Sequence, residues 1–412
     1  MLLRELLDEV ARGNEPPSRL TADEVYAAGQ RRRRTTTVAR IGAAAVLCIA
    51  LVAALVVFAP ARAPDNAGPV EVPVVGPDVR AVGGYDPREL YAIVLSCPQC
   101  EPELHVTRDR GRTWTNRGTM ADVNLPGAPW EIRVGRSGAV GVFGYLAGGS
   151  GPDRVLSTSL DRGRAFAQVI PGDPVDAATP DAFVTCAYQS SASRCVVQVH
   201  DLDEGTTAPL ANQPGLVVVR VERAPDGTIW ALGRDDGAER PAIARSTDGG
   251  RTWTTHVFAD APEFAAGYRL LAGQVAAVDG TVVAELTYAP LAEPSRNSNV
   301  AYRLRDGDWQ RLDTDAWGPG AVAAASYLVA DGTFVLQTVG AGAAAPQPRN
   351  GTQFWSCPPS GTAYGRIAVP AGLTGDQLNA VQRLPGGGYL AHNVAGAWVS
   401  DDGRTWTRLA IR

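Results

Sequence analysis

The stretch Ser246-Thr-Asp-Gly-Gly-Arg-Thr-Trp253 returns in variant form along the chain and decides its fold. Three more copies keep its order of residue types: residues 107–114 (TRDRGRTW), 159–166 (SLDRGRAF) and 399–406 (VSDDGRTW), of which the last lacks only the leading hydroxyl. An aspartate can accept hydrogen bonds from the backbone N–H groups that follow it, and a glycine can take the positive φ of a tight turn. Each copy therefore predicts a closed turn between two strands, with the final aromatic ring packed under the hairpin.

This eight-residue motif resembles the Asp-box, the repeat of bacterial neuraminidases, whose pattern is SxDxGxTW. The resemblance implies a β-propeller of the sialidase-like and sortilin-like superfamily, in which the box is a structural element on the rim, away from the ligand. We therefore expect no catalytic residues among the box positions. These positions are Thr107, Asp109, Gly111, Trp114, Ser159, Asp161, Gly163, Phe166, Asp203, Gly205, Ser246, Asp248, Gly250, Trp253, Asp401, Gly403 and Trp406.

The spacing of the motif predicts the number of units. The box aspartates at positions 109, 161, 248 and 401 are 52, 87 and 153 residues apart, which is about one, two and three units of a repeat of about 40 to 50 residues. Degenerate copies fill the gaps at residues 203–207, 306–309 and 361–364, the last with Pro359 at the aspartate position. Residues 78–412 are thus predicted to form an all-β propeller of seven four-stranded blades.

The last unit predicts how the ring closes. Its four strand patterns, at residues 378–383, 389–394, 397–400 and 405–411, are complete at the C-terminus. We therefore expect the first blade to pack on the last without exchanging strands. Closure by one strand borrowed from residues 70–75 is the alternative.

A membrane anchor is predicted ahead of the propeller. Residues 41–59 are nineteen residues without a charge, and a helix of that length, about 28 Å, matches the hydrocarbon core of a bilayer. Four arginines at residues 31–34, with Arg40, place the N-terminus in the cytoplasm by the positive-inside rule. Residues 60–77, rich in Pro, Val and Ala, are typical of an extended extracellular stalk. The prediction is a single-pass membrane protein with its propeller outside the cell; cleavage after Ala63 is the alternative.

Residues 1–40 predict a cytoplasmic tail of two short helices, the second opened by a capping box at residues 21–24. This layout resembles the N-terminal tails of actinobacterial membrane proteins related to anti-sigma factors. All 38 basic residues of the chain are arginine, and together with 45 Gly and 30 Pro this composition is typical of a high-GC bacterium such as an actinomycete.

The charge of the chain changes across the predicted span. Residues 1–40 carry 8 Arg against 6 acids (+2), and residues 60–412 carry 30 Arg against 37 acids (−7), which together give the net charge of −5. A mildly acidic ectodomain argues against a nucleic acid as the partner.

The cysteines fit an oxidising location. Cys186 and Cys195 flank a Ser-rich turn between two strand patterns, which predicts a hairpin disulfide. Cys97 and Cys100 form a CxxC without a βαβ context, so a local disulfide is favoured over redox activity. Cys357 has no assigned partner. The histidines, at positions 105, 200, 256 and 392, are scattered and have no partners at ligand spacing, so no metal or cofactor is expected.

Five arginines are candidates for a binding site. One falls on the innermost strand pattern of each of five units: Arg80, Arg133, Arg220, Arg269 and Arg383. If the propeller turns them toward its central channel, they would suit a carboxylate, sulfate or phosphate. The alternative is that they pair with acids of the next blade and only tie blades together.

Two function classes remain. The chain resembles sortilin-type receptors and the seven-bladed assembly factors of photosystem II, which implies a binding module for an envelope protein or glycan. The alternative, an exo-sialidase-like glycosidase, would need an Arg-Ile-Pro segment that the sequence lacks and a Tyr–Glu pair. Tyr268 and Tyr364 have no acidic neighbour in sequence that nominates such a pair. The sequence therefore favours a non-catalytic binding propeller, with an anti-sigma-like envelope sensor as a third option.

Overall fold

The computed structural model describes residues 78–97, 100–120, 123, 130–145, 154–169, 171–188, 195–261, 267–293, 298–317, 321–340, 352–393 and 395–411. These residues form seven antiparallel sheets that follow one another along the chain. The predicted tail, membrane span and stalk, residues 1–77, lie outside the described residues. Within the described part of the chain, no helix is long and apolar enough to cross a membrane.

The strands fall into sheets in chain order. The first two sheets hold β1 (Asp78–Gly84), β2 (Leu90–Leu95), β3 (Glu103–Thr107) and β4 (Thr115–Thr119), then β5 (Glu131–Val134), β6 (Val140–Tyr145), β7 (Arg154–Ser159) and β8 (Ala167–Gln168). The third and fourth hold β9 (Phe183–Tyr188), β10 (Cys195–Asp201) and β11 (Thr206–Pro209), then β12 (Leu216–Arg223), β13 (Ile229–Asp235), β14 (Pro241–Ser246) and β15 (Thr254–Val257).

The fifth sheet holds β16 (Tyr268–Val278), β17 (Thr281–Pro290), β18 (Ser298–Arg305) and β19 (Asp308–Leu312). The sixth holds β20 (Val322–Leu328), β21 (Phe334–Val339), β22 (Gln353–Cys357) and β23 (Gly365–Ile367). The seventh holds β24 (Ala380–Arg383), β25 (Tyr389–Asn393), β26 (Gly396–Ser400) and β27 (Thr407–Arg408).

The sheets are the blades of a seven-bladed propeller, as the spacing predicts. Each blade is a meander in which strands adjacent in sequence pair antiparallel. The first strands of neighbouring blades pack on one another, as β1 does on β5 and β12 on β16, so they surround the axis. Apolar clusters fill the spaces between blades, for example where Phe258 stacks on Tyr302 with ring centroids 3.9 Å apart. Burial of these apolar side chains is the main term that holds blade to blade.

The ring closes by packing of the first blade on the last. The four strands of each of these blades are consecutive in the chain, so no described strand is exchanged between them. At the join, Gly386 N–H donates to the Tyr85 carbonyl at 2.7 Å, and a cluster that includes Leu90 and Leu390 is buried between the two sheets. The expectation of closure without strand exchange is confirmed for the described residues.

The third blade departs from the predicted four strands. Its sheet has three strands among the described residues, in the order β11–β10–β9, whereas the other six sheets have four. The third blade contacts the second blade through aromatic rings. Phe143, Phe183 and His200 meet there, with Phe143 packed edge-on against Phe183 at a centroid distance of 5.1 Å.

Three box turns share one hydrogen-bond pattern, except that the copy at residues 159–166 has Ala165 where the other two have a threonine hydroxyl bonded to the aspartate. In the copy at residues 246–253, Ser246 Oγ donates to Asp248 Oδ1 at 2.8 Å and accepts from Gly250 N–H at 2.7 Å, while Thr252 donates its hydroxyl and its N–H to the two Asp248 oxygens. The bonds from Thr252, followed by the one from Ser246, hold the pKa of Asp248 well below its usual range. The glycine at the turn has a φ of 99°. A charged aspartate therefore closes the turn from inside.

The fourth box is shifted by one residue from its predicted register. Ser400 Oγ donates to Asp402 Oδ1 at 2.9 Å and accepts from Gly403 N–H at 2.8 Å, and Asp402 Oδ1 also accepts from Thr405 N–H at 2.9 Å. Asp402, and not Asp401, is the aspartate that closes the turn, and Ser400 supplies the hydroxyl that the prediction took to be missing. The turn is one residue shorter than the others, and this places the Ser400 hydroxyl and the Asp402 carboxylate where they can bond each other and the turn.

The three degenerate turns are held in other ways. Asp203 does not close its own turn: its Oδ1 accepts from Ser137 Oγ of the second blade at 2.7 Å, while Asp201 accepts from Glu204 N–H at 3.1 Å. Asp306, with a φ of 52°, forms with the following glycine a two-residue hairpin between β18 and β19.

The sixth turn has no aspartate, and an arginine of the fifth blade takes over its role. Arg303 is only 2% exposed and donates to the carbonyl oxygens of Pro358 at 2.6 Å, Pro359 at 2.8 Å, Gly361 at 2.9 Å and Cys357 at 3.1 Å. A guanidinium carries five N–H donors, so one side chain satisfies the whole turn.

Both predicted disulfides are confirmed. Cys186 of β9 is bonded to Cys195 of β10, with Cα atoms 5.3 Å apart, and Cys97 is bonded to Cys100 in the loop between β2 and β3. Cys357 is buried and carries no disulfide.

Candidate functional site

A cavity of about 380 Å³ opens where the inner strands of the propeller end. The whole of β5, the last part of β12 and the end of β24 line it, together with Gly84 at the end of β1 and Tyr85 after it. Its volume falls within the range of small-molecule and cofactor sites, which is about 300 to 1,000 Å³. The cavity is therefore large enough to hold a ligand at the mouth of the central channel.

The innermost described strand of the third blade, β9, runs in the opposite direction to the other strands that line this cavity. The cavity meets β12 and β24 at their last residues but β9 at its first ones, Phe183 to Cys186. The turn between β10 and β11 joins the last two strands of its sheet, as the boxes do in the other blades. The strands β9, β10 and β11 thus correspond to the second, third and fourth strands of a normal blade. The third blade contributes no described first strand to the ring around the axis.

Positive charge predominates in the cavity. Its lining holds five arginines and three acids, a formal charge of +2 (5 − 3), although the described chain outside the cavity is acidic overall. The arginines are Arg133, Arg136, Arg220, Arg223 and Arg383, and the acids are Glu131, Asp181 and Glu222. An anionic ligand group is the natural complement of this lining.

Two of the cavity-lining arginines pair with an acid on their own strand. Arg133 contacts Glu131 at 2.5 Å, and Arg220 contacts Glu222 at the much longer distance of 3.5 Å. Residues two apart on a strand lie on the same face, so these pairs form without help from the next blade. The Arg220 side chain stays 47% exposed, so its guanidinium has donors left for a ligand.

Two further arginines play different parts. Arg223 is structural, because its guanidinium donates to the carbonyl oxygens of Thr179 and Ala182, and burial lowers its pKa. Arg383 has a buried Nη1 that bonds to no described group. An arginine N–H without an acceptor is costly to bury, and a turn of the Arg383 side chain toward the cavity would let a ligand oxygen satisfy it. Arg220 and Arg383 are therefore the best candidates for direct ligand contacts.

The other two predicted arginines lie on β1 and β16. Arg80 lies on β1, pairs with Asp78 at 2.6 Å and does not line the cavity. Arg269 lies on β16, and its side chain is outside the described part of the structure. The structure thus brings together Arg133, Arg220 and Arg383 out of the five.

No tyrosine candidate faces the cavity with an acid. Tyr268 packs against Tyr288 with ring centroids 5.7 Å apart, and Tyr364 is buried edge-on against Trp317 between the fifth and sixth blades. Burial, and then the nearby Glu285 carboxyl, raise the pKa of Tyr364. Both side chains are buried, and neither lines the arginine-rich cavity. Tyr85 lines the cavity, but no described carboxylate bonds its hydroxyl.

The histidines occupy strand positions, as expected. His200 is held between the hydroxyls of Thr185 and Thr207, both at 2.7 Å. Burial lowers the pKa of His392 to about 4. Within the described ranges, no group of three or more His, Cys, Asp or Glu side chains could hold a metal ion.

Comparison with known proteins finds similarity in structure alone. No protein-family model matches the chain, and no curated protein matches it. The solved structures that align with it include YCF48 bound to a D1 peptide, at 14% identity and a TM-score of 0.33, covering 82% of this chain and 83% of that one.

Two other aligned structures are a glycosidase and a protease domain. The GH93 α-L-arabinofuranosidase of Fusarium graminearum aligns at 11% identity with a TM-score of 0.39, covering 81% of this chain and 94% of that one. The β-propeller domain of the Trilobed protease from Pyrococcus furiosus aligns at 6% identity with a TM-score of 0.45, covering 81% and 96%. At these values the fold assignment rests on the strand topology of this chain itself.

Proposed function

We propose that this chain is a non-catalytic binding propeller that captures a protein or glycan partner through an anionic group at the channel mouth. The single observation that carries the proposal is the arginine-rich cavity, in which Arg220 is half exposed and the Nη1 atom of Arg383 is buried without a described acceptor. Arginine is suited to this task because its planar guanidinium can bind a carboxylate with two parallel hydrogen bonds.

Binding is favoured over glycoside hydrolysis by the placement of the acids. Retaining hydrolysis needs a nucleophile, an acid and, for a sialoside, a cationic clamp that all meet in one pocket. In the cavity, Glu131 and Glu222 are engaged by the arginines two residues away, and Asp181 interacts electrostatically with Arg223. Tyr85 has no described acidic partner. The clamp is present in this arrangement, whereas a nucleophile with its base is not found among the described lining residues.

The proposal places the propeller outside a bacterial cell, on a membrane anchor formed by residues 41–59. The uncharged run, the arginines before it and the two disulfides support this location. The recurring box turns support grouping the chain with the Asp-box propellers, of actinobacterial origin by composition. On this proposal the partner is a component of the cell envelope.

The test uses the purified full chain and matched probes. Calorimetric titration with decaglutamate, against decaglutamine as the neutral match, measures carboxylate binding, and a fluorogenic sialoside measures turnover. We expect decaglutamate to bind and decaglutamine not to bind, with weaker binding at higher salt because exposed charges are screened. Equal binding of both peptides, or sialoside turnover that Arg220→Ala abolishes, would overturn the proposal.

A further inference from the structure

The inner edge of the third blade differs from that of every other blade. Six blades begin with a strand that lines the axis, whereas β9 corresponds to a second strand and yet has no described strand on its inner side. β12 packs against β9 from the fourth blade, but β5 of the second blade makes little contact with it. The cavity occupies the place between β5 and β12 where a first strand of this blade would lie.

The register between β9 and β10 shows which backbone N–H and C=O groups of β9 point toward the cavity. Val197 of β10 accepts from Leu210 N–H at 3.0 Å, so its backbone groups point toward β11 and away from β9. Cys186 is the β9 residue opposite Val197. Val197 and Cys186 therefore form a non-hydrogen-bonded pair, in which both residues point their N–H and C=O groups away from the partner strand.

Alternation along β9 extends this result. If Cys186 points away from β10, Val184 does so too, and Thr185 and Ala187 point toward β10. Ala182 lies two residues before Val184, so its backbone groups point the same way. Its carbonyl accepts a hydrogen bond from Arg223 of the fourth blade, on the cavity side. Among the described residues, nothing bonds the backbone groups of Val184 or Cys186 on that side. A row of backbone donors and acceptors therefore faces the cavity.

This edge is held in a fixed form. The disulfide between Cys186 and Cys195 ties β9 to β10, and the Thr185 hydroxyl is 2.7 Å from the His200 ring. A rigid, unpaired edge is the template that an extended peptide needs, because the peptide then adds main-chain hydrogen bonds without the cost of ordering the receptor.

Charge selects among the peptides that could add here. A strand paired with β9 would run between Arg133 of β5 and Arg220 of β12, with Arg383 nearby on the cavity wall. The Arg220 side chain is half exposed, and Arg383 Nη1 is buried without a described acceptor. An acidic side chain of the peptide would meet these guanidinium groups.

We propose that the ligand of the cavity is an extended, acidic peptide segment of a partner protein, which pairs antiparallel with β9 and completes the third blade as its first strand. This inference rests on the proposed function, since it names the chemical class of the anionic partner. Between four and six residues in extended form, about 13 to 20 Å, span the length of β9.

The experiment screens the full chain against acetylated, amidated octapeptides with glutamate fixed at the fourth position and the other positions randomised. The tightest binder is then used in hydrogen exchange resolved to single amides. Its binding should slow exchange of Val184 and Cys186 at least tenfold and leave Thr185, already bonded to β10, unchanged. The peptide amides are N-methylated in two alternate sets, the odd-numbered and the even-numbered positions. Only the set that faces β9 should reduce binding, by tenfold or more.

Each other outcome identifies a specific failure. If peptides bind and Arg220→Ala weakens them but Val184 and Cys186 exchange as before, the anion site stands and strand addition is wrong. If these two amides are protected without peptide, another segment of this chain or a second copy fills the place, and protection that depends on protein concentration identifies the second copy. If neither octapeptides nor decaglutamate binds, the proposed function itself fails.

Discussion

Arg110 and Asp401 form an ion pair across the join between the first and last blades. One guanidinium nitrogen, Nη2 of Arg110, is 2.6 Å from both carboxylate oxygens, although the two residues are 291 positions apart in sequence. Arg110 lies in the box turn of the first blade, with a φ of 63°, and Asp401 in that of the seventh. The carboxylate of Asp401 takes no part in the hydrogen bonds that close the shortened seventh turn, so it is available to bridge the first and last blades.

The adjacent aspartates of the seventh box should differ in their effect on stability. Asp402→Ala removes the acceptor for Ser400 and Thr405 and should lower the free energy of unfolding by about 1 to 2 kcal/mol, as the loss of a helix-capping side chain does. Asp401→Ala removes a pair whose side chains are 42% and 66% exposed, and should cost less than about 1 kcal/mol. Urea denaturation measures both; the reverse order would contradict the corrected register.

Arg303 should be among the most sensitive positions of the propeller. Arg303→Met leaves the carbonyl oxygens that it serves in the sixth turn without donors, which should cost about 3 kcal/mol or more. Arg305→Ala is the matched control, because Arg305 is 52% exposed and should change stability by less than about 0.5 kcal/mol. Arg303→Lys should recover part of the loss. Equal stability of the Met and Ala variants would show that the turn does not need the guanidinium.

Glu285 should make the propeller less stable as the pH rises toward 8. Its carboxyl is fully buried, and burial raises its pKa from 4.5 to about 8, against the opposing bond from Thr287. Because the folded pKa is the higher one, only the folded chain holds this proton between those values. The contribution to stability is therefore complete below pH 4.5 and is lost by about 1.4 kcal/mol per pH unit up to about pH 8.

Glu285→Gln removes the titrating group and should flatten this part of the stability profile. Urea denaturation at several pH values between 5 and 8 gives the slope for both chains, with Glu204→Gln, on an exposed turn, as the control. A Gln variant with an unchanged slope would show that Glu285 does not hold the proton.

Much of the fold can be predicted from the sequence because the box is a local device. Its aspartate, hydroxyl and glycine act within eight residues, so the copies can be counted and the seven blades follow. The register of the seventh box could not be predicted, because Asp401 and Asp402 are equally placed until the bond from Ser400 is seen. The role of Arg303 also lies outside local patterns, since its acceptors are 54 to 58 positions away.

Prediction from the sequence missed the three-stranded third blade and the pairing of the arginines, for two different reasons. The spacing of 42 residues between Asp161 and Asp203 fits a full repeat, because a long connection between β8 and β9 takes up the length of the first strand. For the arginines a signal was present. Glu131 and Glu222 each stand two residues from Arg133 and Arg220, and the period of a strand places such pairs on one face.

The proposed topology predicts a clear pattern of protease protection. Protease added to intact cells should remove the propeller and leave an epitope within residues 1–40 intact, because residues 41–59 are proposed to cross the membrane once. Permeabilised cells, in which both parts become accessible, are the control. Digestion of the N-terminal epitope in intact cells, or survival of the propeller there, would contradict the anchor.

The central claim is that anionic ligands bind at the channel mouth, and titration of matched arginine variants tests it most directly. Decaglutamate is titrated into the full chain and into Arg220→Ala, Arg383→Ala and Arg305→Ala, the last an exposed arginine that does not line the cavity. Loss of a charge-assisted hydrogen bond costs about 1.5 to 3 kcal/mol, so the first two variants should bind about tenfold or more weakly, and Arg305→Ala as the unaltered chain does. Equal weakening by all three variants, or by none, would contradict the claim.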